Sequence, residues 1–424
     1  MATLKSTKYV LSVTFGDYKN TIGGVAKVVA THQEMFNKAG VSYICIFPFN
    51  ISNRKHKKNN RYWGVIVDGE LEQVCSTEKV INFLFDLGNR GIMCECIHVH
   101  HLLYVNIEEL STIIRSLSAY VFFYIHDYYT ICVSTKLICD DGCLCERDFL
   151  DNEKCRSCHY YSESIVFRSR FVNFVAEFKN RISFIAPSDA CKKWFLKQYK
   201  EYEDKVIVVY HQTLEGEYKI PERTNNRIKV GYVGVPIAAK GWEQFKKLYY
   251  NYQENQNLEF VYFSSLKDAS VDIRHVQVNF QDSLSAMQDA LRSEHVDYVI
   301  LWSVWPETYS YTYYESYCAG CCIITNPSSG NMADQVCKMK TGLVMREEEL
   351  LDFFKNINSV AEFRDKYILS KQSVCNRLIE NEKIISLSNG DLSAPIKKSN
   401  VSVQDSIAGS FLKLGYKIKL SMKK

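Results

Sequence analysis

Twice along this chain, short apolar runs of strand length alternate with amphipathic runs of helix length, and a polar stretch separates the two series. Strand-like runs fall at 9–15, 42–48, 63–67, 94–100, 120–125, 182–186 and 205–209, with helical periodicity near 24–39, 78–88, 107–118, 162–180 and 188–200. After the polar segment Glu215 to Asn226 the series restarts: strands at 227–233, 258–264, 297–302, 321–325 and 342–345, helices near 241–253, 283–293, 312–319 and 347–356. A mixed-charge helical stretch, about 360–384, follows. Such alternation implies parallel strands joined by crossover helices. The expected fold is α/β, two Rossmann-like doubly wound domains facing each other across a cleft. The expected divisions are 1–217, 218–385 and a basic tail, 386–424.

Hydrophobic content of 46% and charged content of 24% suit two buried cores, and a net charge of +4 gives no reason to invoke nucleic acid. The N-terminus passes straight from Met1–Lys8 into a strand, and no run approaches the roughly 18 apolar residues of a spanning helix. The expectation is a cytoplasmic chain with reduced cysteines.

Chemistry-bearing residues collect where strands end. Asp297 to Ser303 is a strand-like run; Glu307 follows in a polar loop and Glu315 in the next helix, before Ala319-Gly320 and a second strand. In an open α/β sheet that edge is where ligands bind. Carboxylates there accept hydrogen bonds from sugar or ribose hydroxyls, and helix N–H groups between them hold phosphate. A ligand-free reading also stands, because Thr312 and Glu315 form a Thr-x-x-Glu capping box. Gly23-Gly24 lies between the first strand and first helix, either as a plain turn or as a floor open to an anion. It is neither a G-x-G-x-x-G nor a Walker loop. His126-Asp127 ends the strand 120–125; the histidine reads as structural or as a contact to a substrate oxygen. Asp127 either orients it or caps the next segment. Lys240-Gly241 opens a helix, where a lysine is either solvated or neutralises a leaving pyrophosphate.

Cys132, Cys139, Cys143, Cys145, Cys155 and Cys158 crowd the segment 132–159. They read as free thiols or as a structural zinc site on Cys132, Cys143, Cys155 and Cys158, with Cys145 the alternative to Cys143. The basic run Arg54 to Arg61 is a solvated loop or a contact for anionic lipid. The tail alternates Leu412, Leu414, Tyr416, Ile418 and Leu420 with Lys413, Lys417 and Lys419. It reads as a surface strand, a membrane-touching tail or a plain disordered tail.

Taken in order, Gly23-Gly24, His126-Asp127, Ala186-Pro187-Ser188, Gly234 through Lys240-Gly241, and Glu307 to Glu315 resemble the group 1 retaining glycosyltransferases (family 4, GT-B fold). The resemblance runs to about residue 345, and its strongest element is Glu-x7-Glu. It implies a nucleotide sugar on the second domain and a glycan or lipid-linked acceptor on the first. Glu315 would accept from the ribose. Glu307 and the N–H groups of Tyr309, Ser310, Tyr311 and Thr312 would hold sugar and phosphate, and Lys240 would stabilise the departing diphosphate. Gly23 and Gly24 would admit phosphate or acceptor, and His126 would contact the sugar. No catalytic metal is implied, and there is no D-x-D. The setting would be cell-surface polysaccharide biosynthesis at the inner face of the membrane. Val235 stands where the family often has Arg. A nucleotide-sugar 2-epimerase and a non-catalytic zinc-stabilised scaffold are the competing readings.

Overall fold

The structure is a computed structural model describing residues 4, 6–21, 23–49, 62–145, 149–221, 227–279, 283, 285–388 and 403–422. The basic run Arg54 to Arg61 lies outside these.

The first sheet contains β1 (Lys8–Val13), β2 (Ser42–Pro48), β3 (Trp63–Val67), β4 (Glu70–Cys75), β5 (Met93–Val99), β6 (Tyr120–Tyr124), β7 (Ile182–Ala186) and β8 (Val206–Val208), in spatial order β4-β3-β2-β1-β5-β6-β7-β8. From β2 through β8 the pairs are parallel, and β1, β2 and β7 are buried almost throughout. That is why those runs read as continuous apolar sequence rather than as alternation. The expectation of a wholly parallel sheet fails at one edge. β3 runs antiparallel to β2 and to β4, a strand the periodicity missed. For the β3–β4 pair the cause is local: Asp68 and Gly69 both take positive φ, 48° and 93°, and close a tight hairpin. The Asp-Gly pair was legible; β4 was not, because its first four residues are exposed or only half-buried.

Two short strands follow, β9 (Gln212–Glu215) and β10 (Tyr218–Lys219). The second sheet holds β11 (Ile228–Val233), β12 (Leu258–Ser264), β13 (Arg274–Gln277), β14 (Tyr298–Ile300), β15 (Cys322–Thr325) and β16 (Gly342–Val344), ordered β13-β12-β11-β14-β15-β16 and parallel throughout. The switch between sheets falls between Val208 and Ile228, on either side of 217/218. The segment expected as linker is partly strand. The stretch expected as one helix to 384 stops at Lys371 and becomes β17 (Ser373–Val374) and β18 (Arg377–Glu380). β17 pairs antiparallel with β10 and β18 with β9, and Arg377 donates to Glu215 at 2.7 Å. A pairing partner some 160 residues away leaves no trace in local periodicity.

The tail also departs from expectation. Val403–Ser421 is a helix, not a strand, and it packs on the β4 edge of the first sheet. Leu412 and Tyr416 are four apart and share a helical face, so the period-2 alternation was coincidental. Among the described residues, no helix is long and apolar enough to cross a membrane.

Candidate active site at the strand C-terminal edges

The loop after β14 and the helix Tyr311–Cys318 face the C-terminal edge of the first sheet. Thr308 ties them together: its Oγ1 donates to the His126 carbonyl at 2.6 Å, and its own carbonyl accepts from Ser188 Oγ at 2.6 Å. Ser188 also caps the helix Asp189–Leu196, accepting from Cys191 N at 3.0 Å. One loop of the second domain is thus pinned between two strand ends of the first.

Glu307 is 4% exposed and forms an ion pair with Lys240. Two glycines set that geometry. Gly330 has φ 62°, and a Cβ there would sit 2.6 Å from the Pro306 carbonyl carbon and 2.7 Å from Glu307 N. Gly241 has φ 81°, and its Cβ would lie 2.2 Å from the Trp302 carbonyl oxygen. Only glycine permits either approach, so both carriers are seated on backbone rather than on flexible contacts.

The helix carrying Glu315 begins at Ser310, whose side chain accepts from Tyr313 N at 3.3 Å. Thr312 is therefore inside the helix, its hydroxyl 3.0 Å from that of Ser310. Glu315 is too far along to close a capping box, and the capping-box reading of Thr312 and Glu315 falls. Glu315 is 2% exposed, and its Oε2 has no hydrogen-bond partner among the described residues. Burial pushes its carboxyl up to about 7, opposed by the nearby charge of Lys27. Tyr309 is buried, stacked on Tyr314 at 4.9 Å and edge-on to His211 at 4.8 Å. Tyr311 stacks on His211 at 6.1 Å and carries the Lys27 ammonium 4.0 Å over its ring.

Lys27 is the residue the sequence reading missed. It stands one turn into the helix Gly24–Lys38, which starts with no side-chain cap. Gly23 and Gly24 are exposed, and a Cβ added at either meets nothing within 4 Å. The first-turn N–H groups therefore face open space beside a cation. Among the described residues Lys27 has no carboxylate in salt-bridge contact, whereas Lys240 is matched by Glu307. The Gly-Gly-x-x-Lys spacing was a usable signal, since a residue three after Gly24 returns to the same helical face.

Val235 offers only its carbonyl, which accepts from Tyr232 at 2.8 Å. Three other basic residues of the second domain are engaged elsewhere. Lys229 pairs with Glu294 at 3.1 Å and Glu259 at 3.2 Å, Arg227 donates to the Leu258 carbonyl, and Lys338 lies 3.5 Å from Asp189.

His126 contributes main chain to this group, and its ring lies between two others: Nε2 is 2.9 Å from His100 Nδ1, and the ring stacks on His211 at 5.8 Å. Asp127 does not orient it. Asp127 accepts from Tyr129 N at 2.9 Å and pairs with His101 at 3.0 Å. His100 belongs to a set with buried His32 and His98 and half-buried His211. Burial first, then mutual repulsion or Lys27, holds His32, His100, His126 and His211 below the usual range; burial alone puts His98 at about 3, and His211 also stands near 3. They are therefore neutral packing rings. His32, His98 and His100 offer ligand atoms within 4.8 Å of one another, the one such group of His, Cys, Asp or Glu among the described residues. His98 and His100 spend both ring nitrogens on Tyr124, Ser388, Tyr43 and His126.

The predicted thiolate set is not gathered in this way. Cys143 is exposed, Cys139 Sγ lies 2.8 Å from Asp141, and Cys158 Sγ lies 3.4 Å from Asp140. Cys145 is the central thiol: burial, with Cys139, Cys155 and Cys132 beside it, pushes it up to about 12. Cys132, Cys139, Cys145, Cys155 and Cys158 line a cavity of about 470 Å³.

No family model matches the chain. No curated protein matches it in sequence. Its fold is similar to solved structures. WaaG, a glycosyltransferase involved in lipopolysaccharide biosynthesis, is 12% identical with a TM-score of 0.52 over 86% of this chain and 94% of its own. A glycosyltransferase from Rickettsia africae is 12% identical with a TM-score of 0.52 over 86% and 92%. TarM is 9% identical with a TM-score of 0.50 over 90% and 99%. With its two Rossmann-like sheets of eight and six strands, the chain has the GT-B glycosyltransferase fold.

Proposed function

We propose that this protein is a retaining glycosyltransferase that moves a sugar from a nucleotide sugar to a glycan or lipid-linked acceptor in cell-surface polysaccharide biosynthesis. The observation that carries the reading is Glu315, a buried carboxylate with an unused oxygen at the strand edge. Leaving such an acceptor unpaired costs about 1–3 kcal/mol, more when it is charged. A folded chain tolerates this where a ligand donor completes the pair, and two vicinal ribose hydroxyls are suitable donors. The Lys240–Glu307 pair and the uncapped Gly23-Gly24 turn add a cation, a second acceptor and free N–H groups for a diphosphate.

In the reaction, the bond from the anomeric carbon to the phosphate oxygen breaks and a bond to the acceptor oxygen forms on the same face. The acceptor proton passes to the departing phosphate. That requires positive charge around the diphosphate rather than a dedicated base or a catalytic metal. Lys240 supplies one charge. Lys27, reaching from the opposite domain, supplies the second that Val235 cannot. His126 presents its backbone beside the sugar position, its ring buttressed by His100. The involvement of WaaG in lipopolysaccharide biosynthesis accords with a surface-polysaccharide product.

The same reading gives the cysteine loop a structural zinc. Cys145 replaces Cys143 in the ligand set beside Cys132 and Cys155, because Cys143 is exposed. Cys158 or the nearer Cys139 completes four thiolates, which would close in on the metal.

The test is calorimetric titration of purified protein, without added metal, against UDP-, GDP-, dTDP- and ADP-sugars and NAD. Saturable binding of one nucleotide sugar, weakened at least ten-fold in Glu315→Ala, is expected. Folded protein that binds none of them overturns the reading in favour of a scaffold. Turnover of the bound donor to its C2 epimer without acceptor would assign an epimerase instead.

A further inference from the structure

The helix Val403–Ser421 is apolar on two opposite sides. Its inner side docks. A Cβ on Gly409 would fall 2.1 Å from the Val74 carbonyl oxygen, so the helix lies directly on β4. Leu412 and Tyr416 join the first-domain core, Tyr416 meets Phe49 edge-on at 5.2 Å, and Lys413 donates to the Glu72 carbonyl. Tyr416 also donates to Asp17 at 2.9 Å. Asp17 opens the β1 loop that leads to Gly23-Gly24, so the helix is fastened beside the cleft mouth.

The outer side is a stripe. Phe411 is 70% exposed, Leu414 58%, Ile418 52% and Met422 82%. Their spacing of three, four and four residues puts them on one face along about 16 Å of helix. A docked helix needs only one apolar face, and most exposed large hydrophobic residues elsewhere in this protein are scattered. Charge flanks the stripe on both sides. At 100° per residue Lys417 falls to one side of it and Lys419 to the other. Both are exposed, and among the described residues neither has an ion pair. From Phe411 to Lys424 the chain has five lysines and no acidic residue.

We propose that this outer face lies in the interface of an anionic lipid bilayer, with Phe411, Leu414, Ile418 and Met422 inserted and Lys417 and Lys419 on the headgroups. A lipid surface fits better than a second copy of the chain. A self-complementary dimer would bring the flanking lysines of both copies together, whereas an anionic leaflet neutralises them, at about five-fold in affinity for each lysine. The inference extends the lipid-linked acceptor reading, because it sets the cleft mouth against the membrane that would hold such an acceptor.

The experiment is co-sedimentation of the full chain with phosphatidylcholine vesicles and with vesicles containing about one-third phosphatidylglycerol, alongside calorimetric donor binding. The expected result is binding to the anionic vesicles only, reduced on raising the salt. Phe411→Ser/Leu414→Ser/Ile418→Ser should weaken it at least ten-fold, and Lys417→Glu/Lys419→Glu should abolish the lipid preference. Both variants should keep the wild-type melting temperature and donor affinity. Equal binding to both vesicle types, unchanged binding by the triple-serine variant, or a wild-type dimer that this variant dissolves would overturn the proposal. Donor binding without vesicle binding defeats this inference alone; vesicle binding without donor binding defeats only the transferase reading.

Discussion

Glu315 sets the residue scale. A carboxyl raised to about 7 from an ordinary value near 4.5 is a group the fold prefers neutral. Between those pH values the native state holds a proton that the unfolded chain has released, so this contribution to stability falls as pH rises from about 4.5 to about 7. Glu315→Gln should therefore stabilise the free protein at pH 8, by up to about 3 kcal/mol, while weakening donor binding at least ten-fold. Differential scanning fluorimetry and calorimetry on the same samples read both effects. Donor affinity of the wild type should rise between pH 6 and 8, because only the carboxylate accepts two hydroxyl protons. Lys27→Met keeps the packing over Tyr311 and removes the charge. It should lower turnover ten-fold or more with little change in melting temperature, measured by steady-state kinetics and thermal melts. Equal turnover in Lys27→Met would leave Lys240 as the sole phosphate cation. Glu307 and Lys240 were legible because each sits at a predicted element boundary, and Glu315 because of its Glu-x7-Glu spacing; Lys27 was not sought, because the Gly-Gly turn was read for its backbone alone.

Element ends carry the site, and the glycines there are more than punctuation. Gly330→Ala would drive a methyl group into the backbone of Pro306 and Glu307. It should cost about 2–4 kcal/mol and misplace Glu307, seen as a lower melting temperature together with a weaker donor Kd. Gly24→Ala meets open space without backbone strain and should cost far less stability, so a loss of donor binding there would report a crowded ligand. The cysteine loop is a separate element with its own test. Metal analysis should return about one zinc per chain, lost in Cys145→Ser. Metal-free protein with an intact fold would leave the loop standing on Cys139–Asp141, Cys158–Asp140 and similar contacts. Hairpins and ribbons were the elements the sequence hid. β3 and β4 are folded by Asp68-Gly69, and β17 and β18 exist only because β10 and β9 lie beside them.

The whole molecule has a pH limit written into its first domain. His32, His98, His100, His126 and His211 are all held below the ordinary imidazole range by burial. Unfolded, each takes a proton near pH 6.5; folded, none does until much lower pH. The unfolded state therefore binds more protons below pH 6.5, and stability falls as pH drops, by up to about 1.4 kcal/mol per pH unit for each ring. Urea unfolding should show stability highest near neutrality and a steep loss between pH 6.5 and 5. His32→Leu, which removes an orphaned ring nitrogen, should move that loss to lower pH. Sequence alone determined the two α/β series, the edges where they end, and the Glu-x7-Glu, Lys-Gly and Gly-Gly placements, because burial on both faces and glycine turns are imprinted locally. Tertiary structure decided what those residues meet: Lys27 over Tyr311 from the other domain, Thr308 bridging to His126, the histidine set, and a C-terminal helix with two apolar faces. Each joins segments far apart in the chain, and contact between distant segments is settled by packing, which local periodicity does not encode.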